Sequence, residues 1–271
     1  MSAEVKNHPF HIVDPSYWPL VGAVGAIALA IGGIKYMHGA PLAYIAPGVV
    51  LILLTFYGWC KDVRAEANDG ESHTGEVKHG LRMGMVFFIA SEVMFFFAFF
   101  WAWFNSSVPA LSFAANEMWP PEGIVPLHTW RLPFLNTLIL LFSGGTLTFA
   151  HHAMMHGHRR SLTAGLLLTI ALGILFTFLQ AYEYVHATFA ITDGIYGSAF
   201  YLATGFHGFH VIVGTIFLIV CYVRSSKGDF TPEAHVGFEA AAWYWHFVDV
   251  VWLFLFCSVY WWGSAGYLFE G

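Results

Sequence analysis

Long apolar stretches alternate with short polar ones along almost the whole chain. A helix needs roughly 20 apolar residues to cross a hydrocarbon layer about 30 Å thick, and each apolar stretch has about that length. The pattern predicts seven membrane-spanning helices, over residues 18–37, 42–60, 83–104, 134–155, 162–183, 197–223 and 238–262. We therefore expect an all-α integral membrane protein whose seven helices form a bundle.

The polar stretch between the second and third predicted helices is the most charged part of the chain. We interpret residues 61–82 as a charged loop at the inner surface of the membrane. It separates a two-helix part, residues 1–60, from a five-helix bundle, residues 83–271. Neither this loop nor the longer one at about 105–133 is large enough to form a domain with its own core.

Positively charged residues near helix ends stay on the cytoplasmic side far more often than they cross the membrane. If the N-terminus lies inside, only Lys35 and Arg131 of the 11 Lys and Arg residues lie outside. The inner side then holds Lys6, Lys61, Arg64, Lys78, Arg82, Arg159, Arg160, Arg224 and Lys227. With seven crossings, this predicts an inside N-terminus and an outside C-terminus.

Composition excludes several classes of protein. Only 10% of the residues are charged and 58% are hydrophobic, whereas a soluble domain has about 25% charged residues. The formal net charge of −6 provides no basic surface for nucleic acid. Cys60, Cys221 and Cys257 are far apart, which excludes a disulfide framework and a thiolate metal site.

Two acidic residues lie near the middle of predicted spans, where an acid costs roughly 2.5–3.5 kcal/mol to insert. Glu92 lies in the third span and Asp249 in the seventh. Glu92 could relay protons or join helices through a hydrogen bond, and we favour the second role. Asp249 follows His246 by three residues, which places both on one face of the helix.

Histidines form two further groups. His207 and His210 repeat the same spacing in the sixth span. Such a pair can hold a metal or orient a substrate, but it can also satisfy polar atoms between helices, which we favour.

The second group combines the end of the fourth span, His151 and His152, with the start of the seventh, His235 and Glu239. These residue types suit zinc, copper or iron. Adjacent helix positions point about 100° apart, however, so His151 and His152 reach one ion only with difficulty. We expect an interior polar network and no metal, with the ion site as the open alternative.

The stretch from 59 to 82 suits phospholipid head groups, because it combines Trp59, Glu66, His73 and Arg82 at the expected bilayer edge. Cations there can meet phosphates, and Trp favours the ester level. The alternative is a solvated loop that only supplies topology signals.

Several long motifs follow one another in a characteristic order: FIASEVMFFFAFFWAWF, WPPEGIVPL, FLNTLILLFSGG, FAHHAMM, GIYGSAFYLATGFHGFHVIVGTIFLIV and AAAWYWHFVDVVWLF. Together they resemble subunit III of the aa3-type cytochrome c oxidases. The resemblance runs from near residue 9 to Gly263 without a large gap, and the last motif is very specific.

The resemblance implies a seven-helix accessory subunit that holds no haem or copper itself. Its partners are the catalytic subunit I and subunit II of a proton-pumping oxidase, which carry haem and copper and accept electrons from cytochrome c. The complex is an oxidoreductase and translocase, and this chain is expected to be non-catalytic. The implied role is to stabilise the catalytic subunit, support proton uptake, protect the catalytic centre during turnover and guide oxygen through bound lipid.

The resemblance also implies that helices 1–2 are splayed from helices 3–7 around a cleft that holds phospholipids. Trp59, Glu66, His73 and Arg224 match lipid-contacting positions of the family, and Arg82 is a further candidate. Relatives often have two adjacent Trp at the end of the second helix, where this chain has Trp59 and Cys60.

Glu92 matches the carbodiimide-reactive buried glutamate of the family, which is not directly needed for pumping. Three alternatives remain: subunit III of a related quinol oxidase, which typically has five helices; an autonomous proton transporter that uses Glu92 and Asp249; and a membrane redox enzyme that uses the histidine clusters. We expect a bacterial plasma membrane in preference to the mitochondrial inner membrane.

Overall fold

The computed structural model describes residues 8–108 and 119–264, and within these ranges it is built from helices without a β-sheet. Seven of the helices are long and apolar enough to cross a membrane. They are α1 (Trp18–Met37), α2 (Ala46–Asn68), α3 (Gly75–Ser107), α4 (Leu132–Met155), α5 (Arg159–His186), α6 (Gly194–Lys227) and α7 (Val236–Leu255). The expected seven-helix membrane fold is therefore confirmed. Lys6 and the C-terminal tail 265–271, which enter the orientation argument, lie outside the described residues.

Proline marks the start of three helices, at the first or second position of α1, α2 and α4. A proline there loses no hydrogen bond, because the first amides of a helix have no partner inside it, and its ring fixes a helical φ. A 3₁₀ turn, Leu42–Tyr44, precedes α2, and a π-helical turn, Phe256–Trp261, continues α7.

The predicted charged loop 61–82 is much shorter in the structure. α2 continues to Asn68 and α3 already begins at Gly75, so only residues 69–74 connect them. Hydropathy locates the point where a helix leaves the membrane, but not the point where it ends. The segment KDVRAEAN consists largely of polar residues and alanines with good helix propensity, so the helix continues past the apolar stretch.

The chain divides into two compact units, Met1–Leu81 and Arg82–Gly271, and α3 passes from one to the other. In the first unit α1 packs on α2 through small residues. A side chain at Gly48 would collide with the backbone of Leu29, and one at Gly58 with the Trp18 ring. The indole Nε1 of Trp18 donates a hydrogen bond to Asp62 Oδ2 at 2.6 Å. Hence α1 and α2 approach each other closely and are tied together near one end.

Val236–Ser264 is the most buried of the membrane-spanning segments in the second unit. In its apolar 18-residue stretch 61% of the residues are buried, against 6% in that of α3. The indole of Trp245 donates to Ser143 Oγ at 3.0 Å, and that of Trp252 donates to Thr137 Oγ1 at 2.9 Å. Large aromatic rings that also satisfy their polar atoms therefore join α7 to α4.

Candidate functional site

Glu92 on α3 and His210 on α6 form an ion pair or hydrogen bond, with 2.8 Å between Oε2 and Nε2. The Nδ1 of His210 lies 2.7 Å from the Phe206 carbonyl, which can only accept, so Nδ1 carries a proton. The remaining proton then lies on either Glu92 or His210 Nε2, and the pair is electrically neutral in both cases. The arrangement joins two helices and holds one shared proton.

His207 lies one helical turn from this pair and is completely buried. Its Nε2 donates to the Val248 carbonyl at 3.1 Å, which links α6 to α7. The ring centre lies 5.1 Å from that of Trp252. His207 therefore serves as a packed core residue with a hydrogen bond, and its Nδ1 has no partner among the residues that the structure describes.

The expected pairing of His246 with Asp249 is present, with 3.5 Å between Nδ1 and Oδ2. On the other side of the ring, His246 Nε2 lies 3.3 Å from the Thr148 hydroxyl on α4. Gly144 leaves the space for the Asp249 carboxylate, because a Cβ there would lie 2.5 Å from Oδ2. The Asp249 side chain is 9% exposed and that of His246 is 42% exposed. The acid is thus held inside the α4–α7 contact.

His151, His235 and Glu239 come together where α4 ends and α7 begins, each with a ligand atom within 4.8 Å of the others. Glu239 also binds Arg82, with its two oxygens 2.6 Å from Nε and 3.2 Å from Nη2. The structure does not bring His152 into this group. In the single chain His152 is exposed, with its ring centre 4.2 Å from that of His156, because adjacent helix positions point in different directions.

Three of the lipid candidates lie in the first unit. Trp59 on α2 is 46% exposed. The Glu66 carboxylate lies 3.6 Å from His11 Nε2. His73 lies in the 69–74 connection, where burial is the main reason that its pKa is below the ordinary value of 6.5. An exposed indole and a neutral imidazole suit an interface with lipid.

The same connection contains a tight polar turn. Asp69 accepts hydrogen bonds from the Ser72 hydroxyl and from the backbone amides of Glu71 and Ser72, the latter two at 2.8 Å. These bonds to the charged form lower the pKa of Asp69 to about 2. The turn therefore holds an ionised carboxylate.

The other two lipid candidates, Arg82 and Arg224, lie in the second unit. Arg82 binds Glu239, and Arg224 lies 3.5 Å from Asp229 and over the Phe230 ring, 4.4 Å from its centre. The Arg82 side chain is still 38% exposed and that of Arg224 is 17% exposed. Both guanidinium groups are therefore partly neutralised by acids of the same unit.

A third buried acid does not appear among the candidates derived from the sequence. Glu183 on α5 is 4% exposed, and its Oε1 accepts from Tyr260 at 2.7 Å and from Gln180 at 3.0 Å. Asn136 on α4 extends the network by donating to Gln180 at 3.2 Å. The sequence does contain a signal for this site, because an acid and an amide stand in LQAYEY at the end of an apolar stretch. Hydropathy alone assigns these residues to the boundary of the predicted span.

Comparison with known proteins shows similarity over nearly the whole chain. The sequence model of the family described as "Cytochrome c oxidase subunit III" matches residues 8–264. Cytochrome c oxidase subunit 3 of Marchantia polymorpha is 56% identical over 263 residues, which cover 96% of this chain and 98% of the relative. The proteins of the same name from Arabidopsis thaliana and Drosophila melanogaster are 54% and 52% identical, each over 96% of this chain and 99% and 98% of their own length.

Proposed function

Because the chain belongs to the cytochrome c oxidase subunit III family, we propose that it is the non-redox accessory subunit of a proton-pumping cytochrome c oxidase. As a member of that family it is an integral membrane protein and part of an oxidoreductase complex with other oxidase subunits. The main support for this proposal is that the family's sequence model matches residues 8–264 of the chain. Relatives named for cytochrome c oxidase support it over the quinol oxidase alternative.

The partners proposed for this chain are subunits I and II, which hold the haem and copper and receive electrons from cytochrome c. Support comes from the use that the chain makes of its own interior groups. Glu92 pairs with His210, Asp249 pairs with His246, and Glu183 binds Tyr260. The Glu92 and Glu183 contacts each join two elements of one bundle, and the His246–Asp249 pair on α7 reaches Thr148 of α4 through His246 Nε2, as expected of a stabilising subunit.

Proton uptake is the second part of the proposed role. Arg82, His235 and Glu239 form a polar group where α7 begins, on the side that the cation distribution assigns to the cytoplasm or matrix. We expect this chain to keep the proton-uptake surface of the catalytic subunit in place, not to conduct protons itself. Removing the chain should therefore slow proton uptake without abolishing oxygen reduction.

Phospholipid binding is the third part. Trp59 offers an indole at the end of the apolar part of α2, and Arg224 offers a cation near the end of α6. An open apolar groove of about 350 Å³ lies between α4 and α5 and is lined by Phe142, Gly145, Phe149 and Leu168. Each feature suits one part of a phospholipid: the Arg224 cation suits a phosphate head group, the Trp59 indole suits the ester level, and the groove suits an acyl chain. Lipid mass spectrometry of the oxidase should show less bound phospholipid in Arg224→Gln than in Arg160→Gln, a matched change at an exposed arginine.

The membrane is proposed to be one that carries an aerobic respiratory chain, with the N-terminus on the proton-uptake side. The relatives named above are from plants and a fly, so they do not favour a bacterial plasma membrane over the mitochondrial inner membrane. In a variant without Cys60, Cys221 and Cys257, a membrane-impermeant thiol reagent should reach Thr192→Cys, in the exposed connection between α5 and α6, from the outside and Ser16→Cys from the inside. The reverse pattern would contradict the proposed orientation.

Purification in mild detergent tests the subunit role. An affinity tag on this chain should bring down a larger membrane subunit, in equimolar amount, together with haem and copper. A tag on an unrelated seven-helix protein of the same membrane is the control. Recovery of this chain alone, while the oxidase remains in the flow-through, would overturn the proposal.

A further inference from the structure

We propose that His151, His235 and Glu239 form a binding site for a divalent transition-metal ion of the zinc class. This inference goes beyond the proposed function, which assigns no metal to this chain. The site lies within the second unit and spans two elements, since His151 is near the end of α4 and the other two residues are at the start of α7.

The distances between ligand atoms suit a single ion. All three pairs lie within 4.8 Å, and His235 Nε2 is already 3.3 Å from Glu239 Oε1. Zinc binds imidazole nitrogen and carboxylate oxygen at about 2.0–2.2 Å, so neighbouring ligand atoms around a tetrahedral ion are roughly 3.3–3.5 Å apart. The widest pair therefore has to close by no more than about 1.5 Å, which side-chain rotation can provide.

One nitrogen of the group is buried and unsatisfied. His151 Nε2 is inaccessible to solvent and has no hydrogen-bond partner in the described part of the chain. The centre of its ring lies 5.7 Å from that of His235. A buried polar atom without a partner is costly, and coordination to an ion would satisfy it.

A hydrogen bond at Nδ1 of His235 leaves Nε2 of the same ring available to bind a metal ion. His235 Nδ1 lies 3.1 Å from the Thr231 carbonyl oxygen, so it must be the donor. That hydrogen bond fixes the tautomer in which Nε2 of the neutral ring carries a free lone pair, and Nε2 is the atom that faces Glu239. Ligating histidines in proteins commonly have this support.

Arg82 competes with the ion. Its guanidinium binds both oxygens of Glu239, and a divalent ion needs one of those oxygens. The Arg82 side chain is 38% exposed, so it can move toward head groups or solvent when an ion enters. Two imidazoles and one carboxylate favour zinc or a neighbouring transition metal over Mg²⁺ or Ca²⁺, which prefer oxygen ligands.

Equilibrium binding of ⁶⁵Zn²⁺ to the intact purified oxidase tests the proposal. We compare the wild type with His151→Asn, Arg82→Gln and the control His186→Asn. His186 is an exposed histidine at the far end of α5, where its Nδ1 binds the Tyr182 carbonyl. Zinc sites elsewhere in the complex are common to all four proteins and cancel in the comparison.

We expect His151→Asn to bind one Zn²⁺ fewer per complex, or to bind that ion at least tenfold more weakly, and His186→Asn to match the wild type. Arg82→Gln should bind the ion about tenfold more tightly, because the cation that competes for the Glu239 carboxylate is gone. A millimolar excess of Mg²⁺ should not displace the zinc. Identical zinc binding in the wild type and His151→Asn overturns the proposal. If His151→Asn does not assemble, unchanged affinity in Arg82→Gln overturns it instead.

Discussion

The Glu92 carboxylate lies 2.8 Å from Nε2 of His210 and joins α3 to α6 inside the second unit. Because Nδ1 of His210 donates its proton in a hydrogen bond to the Phe206 carbonyl, the contact between Nε2 and the Glu92 carboxylate holds a single further proton. Glu92 is therefore one half of a neutral pair and not an isolated acid in an apolar helix. The pair explains how an acidic residue is tolerated at this depth.

Replacing Glu92 should affect stability according to whether a hydrogen bond survives. Glu92→Gln keeps a polar partner for His210 and should have little effect. Glu92→Leu leaves the buried imidazole nitrogen unpaired and should lower stability by about 1–3 kcal/mol. The thermal unfolding midpoint of the assembled oxidase measures this difference. Equal midpoints for the two variants would contradict the account.

Proton flux distinguishes the proposed role from that of an autonomous transporter. Liposomes that contain only this chain should show no flux driven by a pH gradient beyond that of empty liposomes. A transporter that uses Glu92 would show flux that Glu92→Gln abolishes. Such a result, read from an entrapped pH-sensitive dye, would favour the transporter over the accessory subunit.

Asp249→Leu should impair assembly more than it impairs turnover per assembled complex. The change leaves His246 without its acidic partner at the α4–α7 contact, at a cost of about 1–3 kcal/mol. Subunit content per haem measures assembly, and oxygen consumption per haem measures turnover. Normal assembly with lost turnover would instead indicate that Asp249 takes part in the reaction.

Two adjacent glycines on α4 provide a matched comparison. A Cβ at Gly144 would lie 2.5 Å from Asp249 Oδ2, whereas nothing lies within 4 Å of one at Gly145 in the described chain. Gly144→Ala should destabilise the subunit by about 1–3 kcal/mol, because the carboxylate must move. Gly145→Ala should be neutral or stabilising by up to about 1 kcal/mol, since alanine favours the helix. The thermal unfolding midpoint should be lower for Gly144→Ala than for Gly145→Ala. The reverse order would contradict the packing of Asp249 against Gly144.

The turn at Asp69 should depend on pH in a defined direction. Its folded pKa of about 2 is below the ordinary value of 3.8, so the stabilisation is complete above about pH 4 and is lost as the pH falls through about 2. The ¹³C signal of the Asp69 carboxyl should titrate near 2 in the wild type. Ser72→Ala removes a side-chain bond to the carboxylate and should raise that midpoint, whereas Ser226→Ala should not change it. An unchanged midpoint in Ser72→Ala would show that the hydroxyl does not hold the carboxylate.

Hydropathy is sufficient to predict the seven helices, because insertion into a bilayer imposes both length and composition. Hydropathy does not predict features that depend on helix propensity or on hydrogen bonds between side chains. α2 extends to Asn68 through polar residues that favour helix, and Glu183 is buried at the end of α5 because Tyr260 and Gln180 satisfy it.

Local spacing gives the correct pairing of His246 with Asp249, since both lie on α7. The partners of Glu92 and Glu239 are His210 and Arg82, which are 118 and 157 positions away in sequence. Only the packing of helices brings such residues together, so a single sequence cannot reveal these pairs. The grouping of His151 with His235 and Glu239 does follow from the sequence, because the end of the fourth span and the start of the seventh share one membrane side, but the distance between the rings depends on how α4 meets the start of α7.

The visible spectrum of the separated parts of the oxidase tests the central claim most directly. The complex is purified, this chain is removed with detergent, and haem absorbance, copper content and oxygen reduction are measured in both fractions. We expect all haem, copper and initial activity to remain with the partner subunits, and the separated chain to show no Soret band. A stoichiometric Soret band and oxygen reduction in the fraction that holds only this chain would contradict the account.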